Sequence, residues 1–314
     1  MEFNSIRDFK NNFSKIYHGK VKNYLGGFEK EKQNVKFLIN VVWIIAIGLS
    51  GFIVYFLSNG FQSIPEDISI LGFALLPEVL CILFSSWIAK KFENKLKEKV
   101  MPDLMQAFGN FTWTKYSVID DYSIRDTHLY NRFEWKEDDD CFFGSYKGVD
   151  ININECKLKY EVRDSKGRKR ERTEFEGVLV QLKIPRNFKA HTIIRKRVAL
   201  LNRKDYEEIK LEDPEFMKIY FVDGSDQIES RYLLTPSFME RFKNLQKAFG
   251  AKFLEASFRG NDLMIAITTS KDMFRIGNLN RPLADTKQFT TLLNEFISIL
   301  DIVDELKLNQ NIGL

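Results

Sequence analysis

Cysteine and histidine are scarce: the chain has three of each, no CxxC pair occurs, and His18, His128 and His191 lie far apart. A structural zinc site needs clustered Cys and His ligands, so none is expected. The glycine-rich phosphate loops GxGxxG and GxxxxGK, the nucleophile elbow GxSxG and the metalloprotease helix HExxH are also missing. No familiar catalytic constellation is therefore present, and no cofactor is implied. Nor does one sign of charge dominate. The formal net charge is +4, which makes no general case for nucleic acid as a partner.

The apolar residues, by contrast, are concentrated. Residues 37–57, "FLINVVWIIAIGLSGFIVYFL", carry no charge, and residues 69–89, "SILGFALLPEVLCILFSSWIA", carry only Glu78. Each has the roughly 20 residues that a helix needs to cross ~30 Å of hydrocarbon, so two transmembrane helices are expected. About 36 mostly polar residues precede the first run, which argues against a cleaved signal peptide. Lys30, Lys32 and Lys36 precede the first span, and Lys90, Lys91, Lys95, Lys97 and Lys99 follow the second. The connecting loop 58–68 has no Lys or Arg. By the positive-inside rule both termini are cytoplasmic, the loop is external, and the chain is a multi-pass protein of the cell's inner membrane.

The flanking segments read as helix and then as α+β. Residues 1–36 form a basic amphipathic pattern through Phe3, Ile6, Phe13, Ile16, Tyr17, Tyr24 and Phe28. Such a helix either lies on the inner leaflet or folds onto its own domain, with Gly26-Gly27 permitting a bend. Residues 90–114 continue as a helical stalk, with a break expected at Pro102 and a short helix after it. From 115 to 314 a cytoplasmic α+β domain is expected, of antiparallel hairpins covered by helices. Strand-like alternation is read in "DTHLYNRFEW", "DCFFGSYKGVDININ" and "CKLKYEVRD". Hairpins are expected at 156–184, at Asp223-Gly224 and at Gly260-Asn261. Helices are expected from Pro236 to Phe249 and over the C-terminal stripe Leu292, Leu293, Phe296, Ile299, Leu300 and Val303. The polar segment 200–214 is a candidate internal boundary.

Few residues offer themselves for function. The hairpin tip "RDSKGRKRER" carries Arg163, Lys166, Arg168, Lys169, Arg170 and Arg172. It reads either as a solubilising tip or as a contact for an anionic lipid surface, which each near-surface cation favours by ~1 kcal/mol. "RKR" at 195–197 would extend the patch if it lay alongside. No aromatics are interleaved for base stacking. Glu78 is an ionisable group inside a span, read as an assembly contact in a homo-oligomer ahead of an ion pathway. The acidic run at 136–141, "KEDDDC", offers adjacent carboxylates for a divalent cation, but it lacks the spacing and glycine of a calcium loop, and a solvated loop is the expectation. At "LLTPSF", Thr235 is a helix cap with Pro236 at the first helical position. A well-made junction accounts for that motif, and an anion held near Thr235 and Ser237 is the alternative.

The paired spans, "TEFEGVLVQL", "KIYFVDGSDQIESRYLLTPSFMERF" and "GNDLMIAI" followed by "DMF" resemble a family of uncharacterised bacterial membrane proteins, domain-of-unknown-function family 3137. The resemblance implies a membrane-anchored architecture and no agreed activity. The expected role is a membrane-anchored cytoplasmic module engaging a protein partner, such as another membrane protein, or the anionic inner leaflet. An enzyme acting on a membrane-associated substrate is the alternative, and an oligomeric conduit around Glu78 is the lesser one.

Overall fold

The computed structural model describes residues 6–60, 75–198 and 204–310. The chain divides into two compact units. The first comprises residues 104–274 together with the chain up to Lys15 and from Phe289 onward; the second comprises 16–103 and 275–288. The polar segment near 200–214 falls inside the first unit, and residues 199–203 lie outside the described residues.

An antiparallel sheet organises the first unit. Its strands are β1 (Thr112–Thr114), β2 (Trp135–Tyr146), β3 (Val149–Arg163), β4 (Lys169–Lys196), β5 (Glu207–Glu208), β6 (Tyr220–Gly224) and β7 (Phe253–Thr268). Hydrogen bonding runs β1-β2-β3-β4-β6-β5, and β7 pairs with β4. The hairpin expected at 156–184 is present, with Asp150 to Arg163 paired against Lys183 to Lys169.

The two long segments are not straight. A 16-residue strand would span ~50 Å, yet the N–H of Lys252 donates to the carbonyl of Thr268 at 2.9 Å, joining the two ends of β7. The segment therefore doubles back, and Gly260 at φ 59° supplies the left-handed residue of the expected Gly260-Asn261 turn. β4 stays antiparallel to both arms of β7, so it must reverse too, between Lys183 and Phe188. The β7 hairpin thus lies between the two arms of β4.

Helices cover the sheet on one face. They are α1 (Ile6–Ile16), α5 (Pro214–Ile219), α6 (Gln227–Leu233), α7 (Pro236–Phe249) and α8 (Thr286–Gln310). Phe142, Val180 and Ile265 point to that face, because strand side chains alternate and paired residues share a side. An aromatic cluster fills the space: Phe296 stacks on Phe108 at 4.7 Å and meets Phe142 edge-on at 5.0 Å, and Phe142 meets Phe274 at 4.7 Å. Phe9 of α1 joins it through Phe108 at 5.9 Å. Each fully buried phenylalanine contributes about 1.5–3 kcal/mol. The apolar side of α1 is therefore covered by its own domain, the second of the two readings of this helix.

The opposite face carries a second core of Ile119, Ile124, Phe133, Leu158, Leu179, Ile193 and Met264. Residues 115–133 close over it, including a short helix α4 (Asp121–Asp126) capped by Asp120. "DTHLYNRF" is accordingly not strand; β2 begins only at Trp135.

One other sequence expectation fails because of an unrecognised aspartate cap. The expected return strand after Asp223-Gly224 is α6, because Asp226 accepts from the N–H groups of Ile228 and Glu229 at 2.8 Å each. Likewise Asp213 caps α5 immediately before β6. Carboxylates accept orphan N–H groups well at this position and so start helices.

The second unit contains α2 (Lys22–Gly60) and α3 (Leu76–Met105), with a π-helical turn at Tyr17–Val21 leading into α2. The helix runs unbroken through Gly26-Gly27, so the irregularity falls earlier than expected. It also runs through Pro102, which lies in the last turn of α3, where only one terminal hydrogen bond is sacrificed. A strap at 275–288 is fastened to these helices. Lys32 donates to the carbonyl of Arg281 at 2.8 Å, the N–H of Leu283 donates to Glu29 at 3.0 Å, and Arg275 pairs with Glu93 at 3.2 Å.

One helical run, Arg7–Phe56, is long and apolar enough to cross a membrane. Residues 69–74 of the second expected span lie outside the described residues, as does the connecting loop from 61 onward.

Candidate functional site

The cations of the basic hairpin do not form one patch. Pairing of β3 with β4 sets Arg163 opposite Lys169, Val162 opposite Arg170 and Tyr160 opposite Arg172, so the charges divide between two faces. Asp164 accepts from the backbone N–H groups of Arg168 and Lys166 at 2.9 Å each, and pairs with Arg168 at 3.3 Å and Arg170 at 3.2 Å. These bonds, the Arg168 N–H foremost, hold its carboxyl below the ordinary range. Lys169 pairs with Glu161 at 2.8 Å. Arg195 of the "RKR" motif does not extend the patch, because it is buried.

At the helix start the anion comes from within the protein. Thr235 accepts from the N–H of Phe238 at 3.1 Å, as a cap should. Ser237 instead donates to Glu305 at 2.8 Å, and Arg241 donates to the same oxygen at 3.1 Å. Glu305, buried on α8, thus takes the place near the helix N-terminus where an external anion was considered. "LLTPSF" is a junction that also docks the C-terminal helix.

Glu78 lies in the first turn of α3. One of its carboxylate oxygens and the Ser50 hydroxyl on α2 are buried without a hydrogen-bond partner among the described residues. The acidic run at 136–141 is part of β2 rather than a loop, with Asp138 accepting from Asn154 at 2.9 Å and Asp140 from Trp113 at 2.7 Å.

The largest concentration of polar chemistry lies elsewhere, on the sheet face covered by residues 115–133. β4 places His191 and Arg195 on the same side as Ile193, two residues before and two after it, and Ile193 pairs with both Asp223 and Ser257. His191 is bonded through Nε2 to the Ser257 hydroxyl at 2.8 Å and through Nδ1 to the Tyr206 hydroxyl at 3.2 Å. The His128 ring meets it edge-on at 5.0 Å. Burial, with His128 and Arg259 alongside, pushes the His191 imidazole down to about 4, so the ring is neutral at pH 7.

An ion network braces this pair. Arg195 donates to Asp223 at 2.5 Å, to Asp205, and to the His128 carbonyl at 3.2 Å. The second oxygen of Asp223 accepts from the N–H groups of Asp205 and Tyr206 at 2.8 and 3.0 Å. The buried guanidinium is thereby matched by carboxylates, which a buried charge requires, and Tyr206 is fixed where its hydroxyl meets His191.

Ser257 also lines a small cleft of about 60 Å³, together with Thr127, Gln181, Arg259, Asp262 and Met264. Arg259 is held through Nη1 to the Asp126 carbonyl at 3.0 Å and to His128 Nε2 at 3.2 Å. Burial raises the Asp262 carboxyl, one oxygen of which has no hydrogen-bond partner among the described residues. Chemically, the arrangement is a hydroxyl on a neutral imidazole, an orienting phenol behind it and a guanidinium beside the opening.

Apart from Arg195, read in "RKR" as a possible extension of the basic patch, none of these residues was singled out from the sequence as functional. The available signal was polar side chains on the core side of period-2 strands: His191 and Arg195 in "AHTIIRK", and Ser257 in "LEASFRG".

The first unit is thus an α+β domain with an antiparallel sheet covered on both faces. Residues 173–308 match the family described as "protein of unknown function (DUF3137)". The match runs from β4 into α8 and takes in His191, Ser257 and Thr235, but not the apolar helices. No curated protein matches the chain. Among solved structures, the mycobacterial trehalose monomycolate transport factor A, TtfA, is similar at a TM-score of 0.33 and 11% identity, over 63% of this chain and 90% of that one. Neither fold nor role is carried over at that level.

Proposed function

We propose that the protein is a two-span module of the inner membrane, with both termini and the α+β domain in the cytoplasm, and that it serves as an adaptor for another protein. The observation that carries this reading is the bare apolar surface of the two helices. Phe37, Ile44, Phe52 and Tyr55 on α2 are each more than 60% exposed, as is Leu83 on α3. An apolar surface of this extent is unstable in water and suits lipid. The lysines flanking both spans support the stated orientation.

A protein partner is favoured over the lipid surface because three cations of the hairpin are already paired, Arg168 and Arg170 with Asp164 and Lys169 with Glu161. On the α+β domain, Tyr116, Tyr122 and Ile228 stand about four-fifths exposed, a form of surface that protein contacts use.

The test is alkaline carbonate extraction followed by in-cell crosslinking from residue 122 or 228. The expected result is a chain that stays in the membrane pellet and one partner recovered in near-equal amount. Release into the soluble fraction would sink the anchor, and recovery of this chain alone would sink the adaptor in favour of a homo-oligomer.

A further inference from the structure

We propose that Ser257 is a nucleophile activated by His191, making the cleft an acyl-transfer site for esters or thioesters of short acyl groups. Three observations on separate segments converge on it. The Ser257 hydroxyl lies 2.8 Å from His191 Nε2, the distance at which an imidazole takes a proton from an attacking oxygen. The other ring nitrogen faces the Tyr206 hydroxyl at 3.2 Å, and Tyr206 is pinned by its N–H to buried Asp223. With Nε2 accepting from serine, Nδ1 carries the ring proton toward Tyr206, so the base has both an orienter and a defined tautomer. Finally, Ser257 opens onto a cleft that Arg259 also lines.

The step balances without an outside oxidant or metal. Ser257 Oγ attacks the carbonyl carbon as its proton passes to His191 Nε2, and the carbonyl oxygen becomes an anion beside the Arg259 guanidinium. Collapse breaks the bond to the alkoxy or thio leaving group, which takes the proton from His191. Water then attacks the acyl-serine, giving up a proton to His191, and the carboxylic acid departs as Ser257 regains its hydrogen. Arg259 is suited to the anion because a fixed cation costs no reorganisation as charge develops. Neutral His191 is suited to the first proton transfer because no proton occupies its accepting nitrogen.

Size sets the substrate class. Ser257 is itself only 2% exposed, and the cleft of about 60 Å³ admits a small acyl end with the rest of the molecule outside. Asp262 also lines the cleft, with one buried oxygen lacking a hydrogen-bond partner among the described residues, and so disfavours a second anion and favours a neutral or cationic leaving portion.

The experiment treats the full-length protein in detergent with a small fluorophosphonate and locates adducts by peptide mass spectrometry. The expected result is a single adduct on Ser257, absent in Ser257→Ala, and labelling at least tenfold slower in His191→Gln. Ser257→Ala should also abolish the burst of nitrophenol released from p-nitrophenyl acetate. An unlabelled wild type, or labelling unchanged by Ser257→Ala, overturns the proposal. Should His191→Gln fail to fold, wild type and Ser257→Ala decide the matter alone. Because the chemistry is read on purified protein, its failure leaves the membrane reading intact, and the reverse also holds.

Discussion

Glu295 on α8 has 3% of its surface exposed, and burial pushes its carboxyl up to about 8, with Lys271 only partly opposing the shift. A carboxyl raised in the folded state binds its proton more tightly there than in the unfolded chain. Its stabilising effect is therefore complete below the ordinary carboxylate range and is lost as pH climbs through about 8. The loss has a limiting slope of about 1.4 kcal/mol per pH unit within that window. Glu295→Gln keeps the shape without the titration, so its melting temperature should exceed that of wild type at pH 9 and approach it at pH 5. Parallel melts across that range check the sign. The polar site has the same origin as this group, side chains placed where water is scarce, but there each finds a partner. Sequence alone could not show that pairing, because His128, His191, Tyr206, Asp223, Ser257 and Arg259 come from five segments that only the sheet assembles.

At the scale of elements, two devices decide where helices begin. Thr235 and Asp226 both cap, yet only the first was legible, because Pro236 follows it at the first helical position. Asp226 with Glu229 three residues on is also a helix-start pattern. It was masked by Ile228 and Tyr232, which read as strand residues. The 156–184 hairpin and the Gly260-Asn261 turn were legible because alternation and turn chemistry agreed. Thr235→Ala removes the bond to the Phe238 N–H and should cost about 1 kcal/mol. The loss should appear as a lower midpoint in thermal unfolding followed by circular dichroism, with Thr235→Ser close to wild type.

For the whole molecule, topology is the quantity most exposed to disproof. A cysteine introduced at Ser63, in the connecting loop, should react with a membrane-impermeant maleimide added to intact cells. One introduced at Lys166, in the hairpin tip, should react only after permeabilisation. The native thiols interfere little, since Cys81, Cys141 and Cys156 are all buried, and burial pushes the Cys141 thiol up to about 12. Labelling of Lys166→Cys from outside would invert the arrangement, and labelling of both from inside would mean a single span or none.

The hairpin of β7 seated between the arms of β4 also has a consequence for how the chain is made. β4 ends at Lys196, but the edges that its two arms turn toward each other stay open until Thr268 has been synthesised. For some 70 residues of translation the nascent sheet thus presents two unpaired, strongly apolar edges, the feature that invites wrong pairing. The centre of this domain closes last, by insertion, and fragments ending before Thr268 will aggregate instead of forming a smaller version of the fold.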